Sequence, residues 1–430
     1  MDSATISDGL AVGIDVGTTA VRAVALDASG AEVARAGSLL SDFGPNLRNP
    51  AVWQSATIRT LQALMCDLDG ARIRSLAVDG TSGTILAVDT NGTPLGNALM
   101  YNDVITTPEA ISNLEAHAPA TSATRGPTSG LLKAIRLQET EGIYKILHQA
   151  DWIAGCLSGR FDVSDENNAL KTGYDPIQRR WPDWLARTSV NAELLPEALE
   201  PGTVIDEILP GIADSLGISR HALIVTGTTN GCASFLATGA ESPGDAVTSL
   251  GSTLILKILS DKPLVAPEYG LYSHRLGNRW LTGGASNSGG KVLAKYFTPE
   301  RIAELSAKID PGKPTGFDYY PLAKPGERFP VNDPELLSRM NPRPLDDARF
   351  LQAMLEGITG IEVLGYQRLK QLGAPKVKSL RTVGGGAQNA TWTAIRQHAL
   401  LVPLLPPASL QAAAGTARLA LSAARTADLL

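Results

Sequence analysis

Residues 11–26 read AVGIDVGTTAVRAVAL, two runs of small and β-branched residues joined by Gly17-Thr18-Thr19. Such runs around a Gly/Thr turn predict a hairpin, and the next turn, Asp27-Ala28-Ser29-Gly30, leads into the polar/apolar alternation of AEVARA. The fold therefore opens as a β-meander. The first turn also carries chemistry: a glycine and two hydroxyls offer backbone N–H and Oγ donors to phosphate oxygens at close range, while the neighbouring Asp15 carboxylate can hold a hydrated Mg2+. An ordinary tight turn capped by Asp15 would read the same way, so this stretch alone does not choose. Its repetition favours the phosphate site. Residues 245–259, DAVTSLGSTLILKIL, place Gly251-Ser252-Thr253 between two β-rich runs, about half the chain after Gly17. Ser249 stands where Asp15 stood, as suits a second phosphate grip that needs no metal ligand. A repeat this long points to two similar facing domains that clamp a polyphosphate, because a solenoid would repeat every ~20–50 residues.

Composition limits the alternatives. At ~150 residues per domain, 430 residues imply two to three domains. With 43% hydrophobic and 19% charged residues, 42 Gly and 27 Pro, the chain is of ordinary globular type and is neither disordered nor collagen-like. The 38 basic and 43 acidic side chains give a net charge of −5, so no cationic surface for nucleic acid is expected. No apolar run approaches the ~20 residues of a membrane span, and no basic segment precedes a hydrophobic stretch at the N-terminus, so a cytoplasmic protein is expected. Cys66, Cys156 and Cys232 lie far apart without a CxxC pair and are read as buried thiols.

Further along, SLAVDG and TILAVD, followed by Thr90-Asn91-Gly92-Thr93, read as more antiparallel sheet with a tight hairpin. Between 104 and 200, apolar residues recur at three- and four-residue spacing, as in LLKAIRLQETEGIYKILHQADWIAGCL, and predict helix. ALIVTGTTNGCASFLATGA reads as a buried strand, a Gly/Thr loop and a small-residue helix. SLRTVGGGAQNATWTAIRQHAL is strand, glycine loop and helix, and QAAAGTARLALSAA is a closing helix. Gly384-Gly385-Gly386-Ala387-Gln388-Asn389 would let a nucleotide base or ribose lie against bare backbone at a helix N-terminus. The dinucleotide fingerprint does not fit, lacking its third glycine and its later acidic residue. Trp392 either walls an adenine or packs in the core. The histidines show no metal-ligand spacing and are read as structural.

In order along the chain, IDVGTTAVRAVALD, TSLGSTLILK, TVGGGAQNATWTAIRQ and QAAAGTARLA resemble the two phosphate motifs, the adenosine motif and the closing helix of the FGGY family of carbohydrate kinases. Within that family, DGTSGTILAVD, MYND and VTGTTNGCASFLATGA are most similar to the D-ribulose kinases of cyanobacterial and plant type, once labelled xylulose kinase-like. The resemblance implies an α/β architecture of two actin-like (ribonuclease H-like) domains with an interdomain cleft, here residues 1–238 for the sugar and 239–430 for the nucleotide. It implies ATP and Mg2+ as cofactors, D-ribulose as the acceptor, no nucleic-acid or membrane partner, and a monomer or homodimer. By the same resemblance Asp15 serves both the metal and the sugar, and Gly17, Thr18 and Thr19 serve the phosphates together with Gly251, Ser252 and Thr253. Gly384, Gly385, Gly386, Asn389 and Trp392 would hold the adenosine, and Ser82, Asn102 and Asp103 the sugar. The arginine often found two residues after that aspartate is absent, with Ile105 in its place.

One position departs from the family. Its central pattern is TGTTDG, whose aspartate takes the proton from the attacking hydroxyl, and here Asn230 occupies that place. An amide is no base near neutral pH, although it still hydrogen-bonds a hydroxyl. General-base help is worth roughly 10²–10⁴ in rate, so its loss should dominate turnover. Asn230 is read as an engineered replacement in preference to a natural pseudokinase substitution or a tolerated change. Two other classes compete: a non-catalytic sugar or nucleotide sensor, and an actin- or Hsp70-like ATPase that works by domain movement.

Overall fold

The computed structural model describes residues 9–126 and 128–430. They form two compact units. The first takes the chain up to Gly239 with 274–277 and Ser409–Leu430, and the second takes Ala240–Ser273 and Asn278–Ala408. The closing segment Ser409–Leu430 thus packs into the first unit, although it follows the second in the sequence.

In the first unit, β1 (Leu10–Val16) pairs antiparallel with β2 (Ala20–Asp27), and β2 with β3 (Glu32–Leu39). This is the expected meander. The SLAVDG segment lies in β4 (Ile73–Gly80), which runs parallel to β1 and not antiparallel as expected. The helix Pro50–Met65 crosses between the sheet's edge and β4, and a crossover of that length returns a strand in parallel. The strand Leu223–Thr229 then lies parallel to β4, with Val204–Glu207 antiparallel at the edge. β1 is buried along its whole length because both faces are covered. Leu10, Val12, Ile14 and Val16 meet Trp53 and Trp152 on one side. Ala11, Ala77 and Val225 meet Ala420 and Leu421 of the closing helix Ala412–Thr426 on the other. That helix comes so close that a Cβ on Gly13 would stand 2.0 Å from the Ala413 carbonyl oxygen, which is why small residues fill the contact.

The continuous helix expected around 131–157 is interrupted. Helices Gly130–Leu137 and Gln149–Ser158 flank a strand, Lys145–His148, that pairs antiparallel with Ile85–Val88. Gly142, at φ +78°, breaks the helical run, and the partner strand overrides the local periodicity. Nor is there a loop between strand and helix in the central segment: Thr228 and Thr229 end the strand and Asn230 begins the helix Asn230–Ala237. Of the cysteines, only Cys232 is buried; Cys66 is exposed and Cys156 half-buried, which corrects the expectation for those two.

The second unit repeats the plan. Asp245–Leu250 and Leu254–Ser260 form the hairpin, Arg279–Ser286 extends it, and Ser379–Val383 runs parallel to Asp245–Leu250, followed by Leu404–Leu405. The 25-residue helix Asp347–Gln371, capped by Asp346, supplies Leu351, Met354 and Ile358 to its core. No helix among the described residues is long and apolar enough to cross a membrane.

Candidate functional site

Strand register assembles the first half of the site. Asp15 is registered against Asp79, and Thr228 against Asp79 from the other side; one step on, Val16, Gly80 and Thr229 form the next row. With neighbouring strands ~4.8 Å apart, the segments carrying Gly17, Ser82 and Asn230 leave the sheet within about 10 Å of one another. They do so at the carboxyl ends of parallel strands, where open α/β sheets bind ligands.

Asp15 is nearly buried, and its closest cation is the Arg22 guanidinium at 3.9 Å. Asp79 is fully buried, and burial first, then the Asp15 charge, pushes its carboxyl well above the usual range. Burial likewise raises Asp15, opposed by the hydrogen bond from Asp79 and by Arg22. The protonated form of Asp79, a donor toward Asp15, is therefore favoured, while the Thr416 hydroxyl from the closing helix donates to Asp79 Oδ2. The sequence reading missed Asp79, taking it as part of a plain extended run. Gly17 N–H closes the turn on the Ala20 carbonyl at 3.0 Å, which leaves Thr18 and Thr19 exposed.

Around this row the polar atoms are not all satisfied. Thr81 Oγ1, Ser82 Oγ, Gln149 Nε2 and Asn167 Oδ1 are buried without a hydrogen-bond partner. Each such group costs about 1–3 kcal/mol unless a partner arrives. Asn230, half-exposed, starts its helix beside them. Asn102 is exposed, and Asp103 is engaged: the Arg48 guanidinium takes both its oxygens and holds its carboxyl below the usual range. Asp103 also accepts the Met100 N–H at 2.8 Å. Paired with Arg48, it anchors its loop. Fully buried Lys133 staples that loop to the Ser82 turn, donating to Gly83 O at 3.1 Å and Tyr101 O at 3.0 Å. Burial lowers its pKa to about 8.

The second unit gathers the other motifs. Ser249 is registered against Val383, so the hairpin turn and the glycine loop emerge side by side. Gly384 has φ +87°, and a Cβ there would stand 2.8 Å from the Leu250 carbonyl oxygen, so glycine is required. Gly251 O and Ser252 O accept the N–H groups of Gly290 and Lys291 at 2.9 and 3.1 Å, a support the sequence reading did not foresee. Asn389 caps the helix Ala390–Leu400: its Oδ1 accepts the Trp392 N–H at 3.0 Å and its Nδ2 donates to Ser306 Oγ at 2.8 Å. Trp392 does not present a face for adenine. It is 2% exposed, its Nε1 donates to Thr359 Oγ1 at 3.1 Å, and its ring lies under Gly386, so it supports the loop from the core. Behind the hairpin, Thr248 Oγ1 donates to Glu362 Oε1 at 2.6 Å, and Arg396 grips Glu362 with two bonds of 2.7 Å, all fully buried.

Among the described residues no cluster of three or more His, Cys, Asp or Glu side chains could hold a metal by itself. A single carboxylate such as Asp15 suits a Mg2+ ion that takes its other ligands from phosphate oxygens and water.

Comparison with known proteins agrees with this layout. The N-terminal domain pattern of the FGGY family of carbohydrate kinases matches residues 10–237, and the C-terminal domain pattern matches 246–424. The chain is 26% identical over 412 residues to a xylulose kinase of Escherichia coli, covering 89% of this chain and 83% of that one. It is 24% identical to a xylulose kinase of Bacillus subtilis over 89% and 81% of the two chains. The crystal structure of a xyloylose kinase from Brucella ovis superposes with a TM-score of 0.84 at 25% identity, over 98% of this chain and 91% of the other. The fold is accordingly the two-domain, actin-like (ribonuclease H-like) one. By both domain patterns and by this architecture, the chain belongs to the FGGY family of carbohydrate kinases.

Proposed function

We propose that the chain binds a ketopentose, D-ribulose, in its first unit and Mg-ATP through its second, and that Asn230 attenuates transfer of the γ-phosphoryl to the sugar's primary hydroxyl. The observation that carries this reading is the row of strand ends bringing Asp15, Ser82 and Asn230 together beside unpartnered buried polar atoms. D-xylulose is the competing acceptor, suggested by the names of the relatives. The choice of D-ribulose rests on the segments DGTSGTILAVD, MYND and VTGTTNGCASFLATGA.

Gly17, Thr18 and Thr19 offer phosphate donors on one hairpin and Gly251, Ser252 and Thr253 on the other, while Gly384, Gly385 and Gly386 leave bare backbone for the adenosine. Asp15 would hold Mg2+, which supplies charge neutralisation at the phosphates. Protonated Asp79 donates to Asp15 and so orients its carboxylate. Ser82 Oγ takes a sugar hydroxyl, and the Asn230 amide hydrogen-bonds the attacking hydroxyl without removing its proton. Positioning survives in this arrangement, but the base does not.

The test is sugar-stimulated ADP release by this chain and by Asn230→Asp with D-ribulose, D-xylulose, L-ribulose and glycerol. The substitution should raise turnover roughly 10²–10⁴-fold on the preferred ketopentose. Equal turnover in the two forms overturns the base assignment. Sugar binding without ADP formation, even after Asn230→Asp, instead supports a non-catalytic binding protein, the reading that the neutral amide at 230 favours.

A further inference from the structure

Gln149 and Asn167 belong to none of the motifs that led to the functional reading, yet both end in a buried amide of which only half is used. Gln149 begins the helix Gln149–Ser158 and is 1% exposed. Its Oε1 accepts the Thr81 N–H at 2.9 Å, which leaves Nε2 without a partner. Asn167, in the short helix Glu166–Ala169, is fully buried. Its Nδ2 donates to Thr228 Oγ1 at 2.9 Å and to Arg275 O at 3.0 Å, which leaves Oδ1 without a partner. In each case the bonded half fixes which way the amide faces. What remains is one donor and one acceptor. Both side chains are tied to the ends of the same two strands, Gln149 at Thr81 and Asn167 at Thr228, where Thr229 is registered against Gly80.

A sugar hydroxyl offers lone pairs to a donor and an O–H to an acceptor, so a polyhydroxy chain answers both vacancies at once. We propose that Gln149 and Asn167 are acceptor-binding residues, Gln149 donating through Nε2 to one sugar oxygen and Asn167 accepting through Oδ1 from another hydroxyl. The proposal rests on the reading of the first unit as the acceptor-binding one. It also sets the substrate class. With the reacting hydroxyl at Asn230 and a second at Ser82, glycerol runs out of oxygens before both amides are served, whereas a ketopentose does not. The acceptor is thus a polyhydroxy chain longer than glycerol.

The experiment is calorimetric titration of the full chain with D-ribulose, D-xylulose, glycerol and, separately, ATP. Gln149→Glu keeps an oxygen for the Thr81 N–H but replaces the free donor with an acceptor, and Asn167→Ala removes the free acceptor. Each should weaken ketopentose binding about tenfold or more, the loss of one buried hydrogen bond, while ATP binding stays within about twofold. Ketopentose affinities equal to that of the unsubstituted chain overturn the proposal. An unsubstituted chain that binds ATP and no ketopentose overturns the acceptor-site reading beneath it. Should a variant unfold, a crystal of the unsubstituted chain with bound ketopentose decides. Sugar oxygens within hydrogen-bond distance of Gln149 Nε2 and Asn167 Oδ1 sustain the proposal, and ordered water there with the sugar elsewhere overturns it.

Discussion

The hairpin around Gly17 and the hairpin around Gly251 share their place in the strand order, yet they rest on opposite kinds of buried carboxylate. Asp79, beside the first, is governed by burial and the Asp15 charge; it favours its protonated form, turned as a donor toward Asp15, and accepts one bond from Thr416. Glu362, behind the second, is doubly paired to Arg396 and also receives the Thr248 hydroxyl. The second arrangement satisfies every charge, and so it is architecture. In the first, two carboxylates compete for one proton, and such a pair stays responsive to whatever binds next to it. The duplicated fold has thus kept one copy chemically poised and made the other rigid.

Arg396→Met attacks the rigid side and should have the largest effect. It leaves Glu362 buried and uncompensated, a loss of about 3–5 kcal/mol by chemical denaturation, whereas the double substitution Arg396→Met with Glu362→Leu should lose less. A double substitution that is as damaging as the single one would show that the pair does more than neutralise itself. Gly384→Ala should cost roughly 1–3 kcal/mol, because the left-handed backbone and the nearby Leu250 carbonyl both resist a Cβ. It should also weaken ATP binding more than sugar binding, as read by parallel titrations. The smallest effect belongs to the poised side. Asp79→Asn replaces a protonated carboxyl with an amide that can donate to Asp15 and accept from Thr416, so the fold should persist. The raised pKa means that folding takes up a proton the unfolded chain releases. The stability of the unsubstituted chain therefore falls as pH rises from the ordinary carboxylate range toward that raised value. The Asp79→Asn variant lacks this decline, so its stability advantage should grow with rising pH and close on acidification. A pH-independent difference would mean that Asp79 is not the group holding the proton.

The motifs with fixed local chemistry were legible from sequence. The turns at Gly17-Thr18-Thr19 and Gly251-Ser252-Thr253 and the loop begun by Gly384, whose left-handed φ calls for glycine, are written within a few positions. What sequence did not reveal depends on register between distant strands. Asp79 meets Asp15 only because β4 runs parallel to β1, and Gln149 meets Thr81 only because the helix after Lys145–His148 points at the end of β4. The Lys145–His148 strand itself was hidden within an apparent helix, its pairing supplied by residues nearly sixty positions earlier. Trp392 could be read either way from sequence, and burial resolved it toward the core. The pairing of Asp103 with Arg48, 55 positions earlier, was invisible to any reading confined to the MYND segment.

The return of the helix Ala412–Thr426 to the first unit has a bearing on how the protein is made. One face of the first sheet, including the Asp79 carboxyl, stays uncovered until residues 412–426 have left the ribosome. The intervening second unit, whose own strands and helices are complete earlier, can close while its predecessor waits. Synthesis order and assembly order are therefore reversed for the two units, and a nascent chain stalled near residue 410 would hold a complete second unit and an incomplete first one.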